Sequence, residues 1–92
     1  MDYRALLNEE DFRLFSKLRD LRKKTADAEG IPLYGVFTNA QLAEMVRSRV
    51  AELSDFQKIE GVGKARVEKY GAPFLSLLRE QPDRLPEDSG EE

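Results

Sequence analysis

The feature that most constrains the fold is an apolar stripe in the first third of the chain. Large apolar residues recur there at every third position: Phe12, Phe15, Leu18 and Leu21. On an α-helix this spacing places all of them on one broad face, which must be buried. Asn8 can cap the first turn, and the acids that follow it suit the positive end of the helix dipole. Gly30 and Pro32 end the pattern, so the sequence predicts one long amphipathic helix.

Two capping-box pairs predict the next two helices. They are Thr38 with Gln41, and Ser54 with Gln57. The second helix should end near Ser48, because a regular continuation would point Arg49 along its apolar face.

The remaining helices are predicted from turn residues. The fourth spans residues 64–70 with Gly71 as its stop, and the fifth has Pro73 at its first position. The strand signal is weak, since the only β-branched and aromatic cluster, at 31–37, is interrupted by Pro32 and Gly35. The sequence therefore predicts an all-α fold, a compact globular bundle of five helices.

The composition excludes several classes of enzyme. The chain contains no cysteine and no histidine, so thiolate or imidazole metal sites, a Ser-His-Asp triad and a Cys-His pair are impossible. Its 92 residues form one small domain without room for a large substrate cleft. We therefore expect a non-catalytic, monomeric domain without cofactor or metal. The lack of disulfides fits a cytoplasmic setting, and no segment resembles a membrane span or a signal peptide.

Charge is unevenly distributed along the chain. The net charge is −3, but residues 79–92 carry six acids and two arginines, whereas residues 1–78 carry 13 cations and 12 acids. We predict a helical domain over residues 1–80 and an acidic, disordered tail over 81–92. Residues 13–24 hold six cations and one acid, so an anionic partner is compatible with the overall acidity.

The glycine-rich stretch at 58–71 has two interpretations once a nucleotide site is excluded. It lacks the first glycine and the hydroxyl of a Walker loop. In one interpretation, Gly61 and Gly63 let a phosphate approach the amides at a helix start, beside Lys64. In the other, the two glycines only permit positive φ in a tight turn between helices, and Val62 plugs the core.

The cations of the first helix also allow two interpretations. Three of them, Arg13, Lys17 and Lys24, alternate with acids on the face opposite the apolar stripe, which is typical of a solvated face. Arg22 instead projects at the margin of the apolar face. Its guanidinium is either paired with an acid from a neighbouring helix or available to a phosphate.

Tyr34 lies in a segment that proline and glycine restrict. An aromatic side chain on a stiff loop suits stacking with an unpaired base, worth about 1 to 3 kcal/mol per base. The alternative is a surface tyrosine with its ring half buried.

Taken in order, these features resemble one known family. The strings LFSKLRDLRKKTADAEGIPLYGVFTNAQLAEM and FQKIEGVGKARVEKYGAPFLSLL are similar to the helicase-and-RNase-D C-terminal domain, HRDC. The resemblance is strongest to the form at the end of bacterial RecQ DNA helicases and covers residues 11–79. Its specificity comes from three patterns in the expected order: K-L-R-x-L-R-K, P-x-Y-x-V-F-x-N-A and G-V-G-x-x-x-x-x-x-Y-G.

The resemblance implies an all-α, non-catalytic module that binds single-stranded or junction DNA in RecQ-like helicases and serves RNA in RNase D. Tyr34 matches the exposed loop aromatic linked with single-strand binding. The other implied nucleic-acid contacts match the basic end of the first helix and the Gly-Val-Gly turn: Arg19, Arg22, Lys23, Lys24, Gly61, Gly63 and Lys64.

Two hypotheses of different classes follow. In the first, the domain binds single-stranded or junction DNA, or RNA, by stacking on Tyr34 and by contacts to phosphates, in a bacterial, nucleoid-associated setting. In the second, it docks on a helicase or nuclease core, or on another protein, and its cations are paired internally.

Overall fold

The computed structural model of the protein describes residues 2–80, and every regular secondary-structure element within them is a helix. The six helices, numbered in chain order, are α1 (Tyr3–Leu6), α2 (Glu9–Glu29), α3 (Leu33–Val36), α4 (Asn39–Arg47), α5 (Leu53–Phe56) and α6 (Lys64–Arg79). The predicted all-α globule is confirmed. The predicted acidic tail, residues 81–92, lies outside the described residues. Within the described range, no helix is both long and apolar enough to span a bilayer.

Helix α2 begins and ends as its sequence predicts. The Asn8 side chain accepts a hydrogen bond from the Asp11 amide at 2.7 Å, which satisfies one free donor of the first turn. Gly30 takes the left-handed conformation, with φ of 70°, that glycine adopts without strain. The buried face of α2 packs against α1, α3, α4 and α6, so α2 is the central element of the fold.

Helix α4 shows the predicted capping box. The Thr38 hydroxyl accepts from the Gln41 amide at 3.1 Å, and the Gln41 side chain accepts from the Thr38 amide at 2.9 Å. The helix ends at Arg47 with Ser48 as its C-cap, as predicted. Arg49 then takes a φ of 54°, so the chain leaves the helix by a left-handed step.

The prediction of separate fourth and fifth helices is wrong. Gly71 does not stop a helix and Pro73 does not start one, because α6 runs without a break through both. A Cβ at Gly71 would lie 3.2 Å from Leu53 Cδ2 and 3.6 Å from Phe56 Cε2. Gly71 therefore allows α5 to approach α6 closely. Pro73 costs one backbone hydrogen bond, which the burial of Phe74 and Leu78 on the same helix offsets.

Two short helices were not predicted, and the cap of a third is shifted. No sequence pattern indicated α1 or α3, which are single turns. In α5, the capping box joins Glu52 and Asp55 rather than Ser54 and Gln57. The Asp55 carboxylate accepts from the Ala51 and Glu52 amides at 2.9 and 3.1 Å, and these bonds lower the pKa of Asp55.

The core is organised around Phe37, at the end of α3. Its ring lies 4.9 Å from that of Phe74 and 6.3 Å from those of Phe56 and Tyr70, measured between centroids. The contacts with Phe74 and Tyr70 are edge-to-face, a favoured geometry for aromatic pairs. The segment between α2 and α4 is therefore anchored in the centre of the protein.

Candidate nucleic-acid interface

Tyr34 is the most exposed large side chain among the described apolar and aromatic residues. It is 68% exposed, and its neighbour Leu33 is 43% exposed, whereas Val36 and Phe37 are fully buried. The Gly35 amide donates to the Pro32 carbonyl at 2.9 Å, which closes the turn. Tyr34 thus stands on a short turn whose far end is fixed in the core. The alternative of a half-buried ring does not apply.

Arg22 does not lie on the surface with Tyr34. Only 7% of it is exposed, and its Nη1 donates to the Phe37 carbonyl at 3.1 Å. Its observed protein partner is thus a backbone carbonyl and not an acid from a neighbouring helix. Burial first, and then the neighbouring charge of Arg19, lower the pKa of the Arg22 guanidinium.

The other cations of α2 separate onto two sides of the helix. At about 100° per residue, Arg19 and Lys23 project on the side of Arg22 and Ala26, whereas Lys24 projects from the opposite side. The Arg19 guanidinium carbon lies 5.1 Å from the Phe15 ring centroid, and the residue as a whole is exposed. Arg19 and Lys23 therefore form one exposed cationic edge of α2, which we call the Arg19 edge.

Lys23 has an acidic neighbour on the same helix. Its Nζ lies 3.3 Å from Asp27 Oδ2, and both side chains are largely exposed. Exposed pairs of this kind contribute about 0 to 1 kcal/mol. A phosphate can therefore displace the carboxylate at little cost.

Lys24 lies in a different surface feature. It lines a groove of about 410 Å³ between α2 and α6, together with Lys17, Asp20, Leu21, Pro73, Ser76, Leu77 and Glu80. Two acids in this lining offset its two lysines. The structure does not bring Lys24 together with the Arg19 edge.

The two glycines of the turn at 61–63 differ in backbone conformation and in the space around them. Gly61 has a φ of 84°, and a Cβ there would lie 2.7 Å from Gln41 Nε2. Gly63 has a φ of −92°, and a Cβ there would meet no atom within 4 Å. The expectation of positive φ is confirmed for Gly61 and wrong for Gly63. Val62 is buried and fills the core as predicted.

Gln41 connects this turn to the start of α4, a role that was not predicted. Besides its capping bond, its Nε2 donates to the Glu60 carbonyl at 3.2 Å, and Arg66 Nη1 lies 3.5 Å from its Oε1. The capping-box pattern predicted one bond of this amide. A primary amide both donates and accepts hydrogen bonds. The Gln41 NH₂ group can therefore bond to a second segment, which no local sequence pattern identifies.

Lys64 is the first residue of α6, and its side chain is exposed. Its helix has Gly63 as N-cap and no side-chain cap. A groove of about 530 Å³ beside the turn is lined by Thr38, Ala40, Gln41, Glu44, Lys58, Ile59 and Glu60. Lys58 itself is paired with Asp55 at 3.3 Å. The lining of this groove therefore carries two exposed acids, Glu44 and Glu60, beside one paired lysine.

The described residues contain no cluster of three or more acids, histidines or cysteines able to hold a metal ion. The surface of the described residues offers an exposed ring, a helix edge with two cations, and a separate glycine turn. These are groups that bind a ligand by stacking and by charge.

Comparisons with known proteins identify relatives of the chain. The family model of the HRDC domain matches residues 11–78. The ATP-dependent DNA helicase RecQ of Haemophilus influenzae is 43% identical over 70 residues, which are 76% of this chain and 11% of that protein. RecQ of Bacillus subtilis is 37% identical over 75 residues, 82% of this chain and 12% of that protein.

A second type of helicase also matches. The ATP-dependent DNA helicase UvrD2 of Mycobacterium tuberculosis is 30% identical over 69 residues, 75% of this chain and 10% of that protein. The chain thus spans only about a tenth of the length of these relatives.

Proposed function

The chain belongs to the HRDC domain family, and from this membership we propose that it is a non-catalytic accessory module that binds single-stranded or junction DNA for a RecQ-like helicase. The relatives are helicases by name. Binding would use one stacked base and a few phosphate contacts.

The observation that carries this proposal is the exposure of Tyr34 on an anchored turn. A ring that is 68% exposed has a free face for a base, and the buried Val36 and Phe37 hold the backbone beneath it. Because the turn is already ordered, little conformational entropy is lost when a base stacks. Stacking on one aromatic ring contributes about 1 to 3 kcal/mol and tolerates any base.

The Arg19 edge supplies the phosphate contacts proposed for a short strand. Arg19 and Lys23 project from α2 on the side of Arg22, whose guanidinium bonds to the segment that carries Tyr34. Each phosphate neutralised on a single strand adds about −0.7 to the slope of log affinity against log salt. Lys24, Lys64 and the amides after Gly61 and Gly63 are proposed to contact only a longer or junction ligand.

A titration with a labelled oligothymidylate of about 15 nucleotides tests the proposal at roughly 50 and 200 mM salt. Tyr34→Ala should weaken binding about 5- to 150-fold, which corresponds to 1 to 3 kcal/mol. Tyr34→Phe keeps the ring and should bind nearly as well as the unaltered protein. Leu53→Ala is the matched control, because Leu53 is also exposed but lies on α5. Equal affinities for the Tyr34→Ala and Leu53→Ala variants would refute the proposal.

A second candidate function is docking on a helicase or nuclease core. It is favoured by the adjacent exposure of Leu33 and Tyr34 and by surface cations that are paired with acids, such as Lys69 with Glu29 at 3.3 Å. NMR titrations separate the two candidates. Shift changes at Leu33 and Tyr34 with a partner domain, and none with oligonucleotide, would favour docking.

A further inference from the structure

The most unusual group in the interior is the Arg22 guanidinium. Among the described residues, Arg22 is the only charged side chain that is buried. Its Nη1 has the Phe37 carbonyl as partner, but its Nε has no hydrogen-bond partner. Burying an incompletely bonded guanidinium beside another cation is costly. Local costs of this kind are expected where a feature serves function.

The bond from Arg22 holds a segment that cannot be stable by itself. Helix α3 is four residues long, far below the length at which an isolated helix persists in water. Its C-cap is Phe37, which is extended and whose carbonyl accepts from Arg22. The turn that exposes Tyr34 is thus fixed by the Phe37 ring on one side of the backbone and by Arg22 at the carbonyl.

We propose that Arg22 is a positioning residue: its buried guanidinium, bonded to the Phe37 carbonyl, fixes the turn that presents Tyr34 for stacking. This inference rests on the proposed function. It assigns Arg22 no contact with the ligand, in contrast to the phosphate contact that the family resemblance implies. Arg22 therefore contributes to affinity only by holding Tyr34 in position.

A double-mutant cycle on oligothymidylate binding tests this dependence. Arg22→Met removes the guanidinium and keeps an unbranched apolar stem. It should weaken binding about five-fold or more, since stacking on a disordered ring recovers little of the roughly 1 to 3 kcal/mol available. In the Tyr34→Ala background the same change should have almost no effect. An equal loss in both backgrounds would show that Arg22 acts as an independent charge and would overturn the proposal.

Arg19→Met is the matched control in the same cycle. It removes a cation three residues away on the same helix, but an exposed one. Its effect should be the same with and without the Tyr34 ring. If the Arg22→Met protein does not fold, Arg22→Lys replaces it, because lysine keeps the charge and stem but lacks the planar fork.

An NMR measurement without ligand separates the failure of this inference from that of the proposed function. In Arg22→Met, amide order parameters over 33–37 should fall from about 0.85 towards 0.6, while those of α4 stay unchanged. If they do not fall, Arg22 is not a positioning residue. If they fall although Tyr34→Ala leaves affinity intact, the positioning role stands and the proposed stacking function is wrong.

Discussion

The turn formed by residues 33–37, here called the α3 turn, and the glycine turn at 61–63 are built alike and differ in the side chains that they expose. Each is anchored by a buried apolar side chain, Phe37 in one and Val62 in the other. Each is also held by a buried polar side chain from another element that donates to a backbone carbonyl. Arg22 donates to Phe37 at 3.1 Å, and Gln41 donates to Glu60 at 3.2 Å.

The exposed side chains distinguish the two turns. The α3 turn exposes Tyr34, with the Arg19 edge on the helix that anchors it. The glycine turn exposes Glu60 beside a groove that also contains Glu44, which repels phosphates. A rigid turn thus becomes a candidate binding site only when its surface carries suitable groups. We therefore expect the first turn to govern binding and the second to govern stability.

The largest loss of stability should come from Gly61→Ala. The left-handed backbone costs an alanine about 1 to 2 kcal/mol. The new Cβ would also displace Gln41 Nε2, 2.7 Å away, and the loss of its bond to the Glu60 carbonyl would cost about 1 kcal/mol more. We expect the free energy of unfolding to fall by about 2 to 3 kcal/mol in urea denaturation.

Gly63→Ala is the matched control for this change. Its backbone conformation suits any residue, and open space surrounds it, so stability should change by less than about 1 kcal/mol. Affinity of the folded protein for the short oligothymidylate should be unchanged in both variants. A weaker affinity in Gly61→Ala would show that the glycine turn also belongs to the binding surface.

The next largest loss of stability should come from Gln41→Ala. It removes one half of a capping box and the bond to the Glu60 carbonyl, so the protein should lose about 1 to 2 kcal/mol of stability. Affinity for oligothymidylate should stay the same. Arg22→Met removes the equivalent bond from the other turn and should weaken affinity. If both variants lower affinity equally, the two turns are not functionally distinct.

Local patterns predicted those parts of the fold that local interactions decide. Asn8, Gly30 and Thr38 cap their helices as the sequence predicts, because a cap depends on bonds within a few residues. The helix boundary predicted at Gly71 and Pro73 is wrong, because α6 continues through both and packs at Gly71 against α5, which is distant in sequence. Tertiary packing regularly outweighs propensity in this way.

The candidate site shows the same difference between features set by local sequence and features set by distant contacts. The periodicity of α2 placed Arg22 at the margin of its apolar face, and the structure buries it there. Its partner could not be predicted, since the Phe37 carbonyl is 15 residues away and any backbone carbonyl is an equally good acceptor. The separation of Lys24 from the Arg19 edge likewise required the position of α6, which forms the other wall of the Lys24 groove.

The smallest expected effect is on the salt dependence of binding. It should follow from replacing one lysine beside each turn. Lys23→Met and Lys64→Met each remove one exposed cation, from the Arg19 edge and from the glycine turn respectively. If a short single strand contacts only the α3 side, Lys23→Met should reduce the magnitude of the salt slope by about 0.7, the value for one phosphate. Lys64→Met should leave that slope unchanged.

The length of the ligand provides the control for these two variants. With a longer strand or a junction, Lys64→Met should also reduce the slope, because Lys64 is proposed to meet phosphates beyond those near Tyr34. Stability should be nearly unaffected in both, since both lysines are exposed and the ion pair of Lys23 with Asp27 is exposed and weak. Equal slopes for both variants with the short strand would mean that the strand contacts both turns, and the proposed difference between them would be wrong.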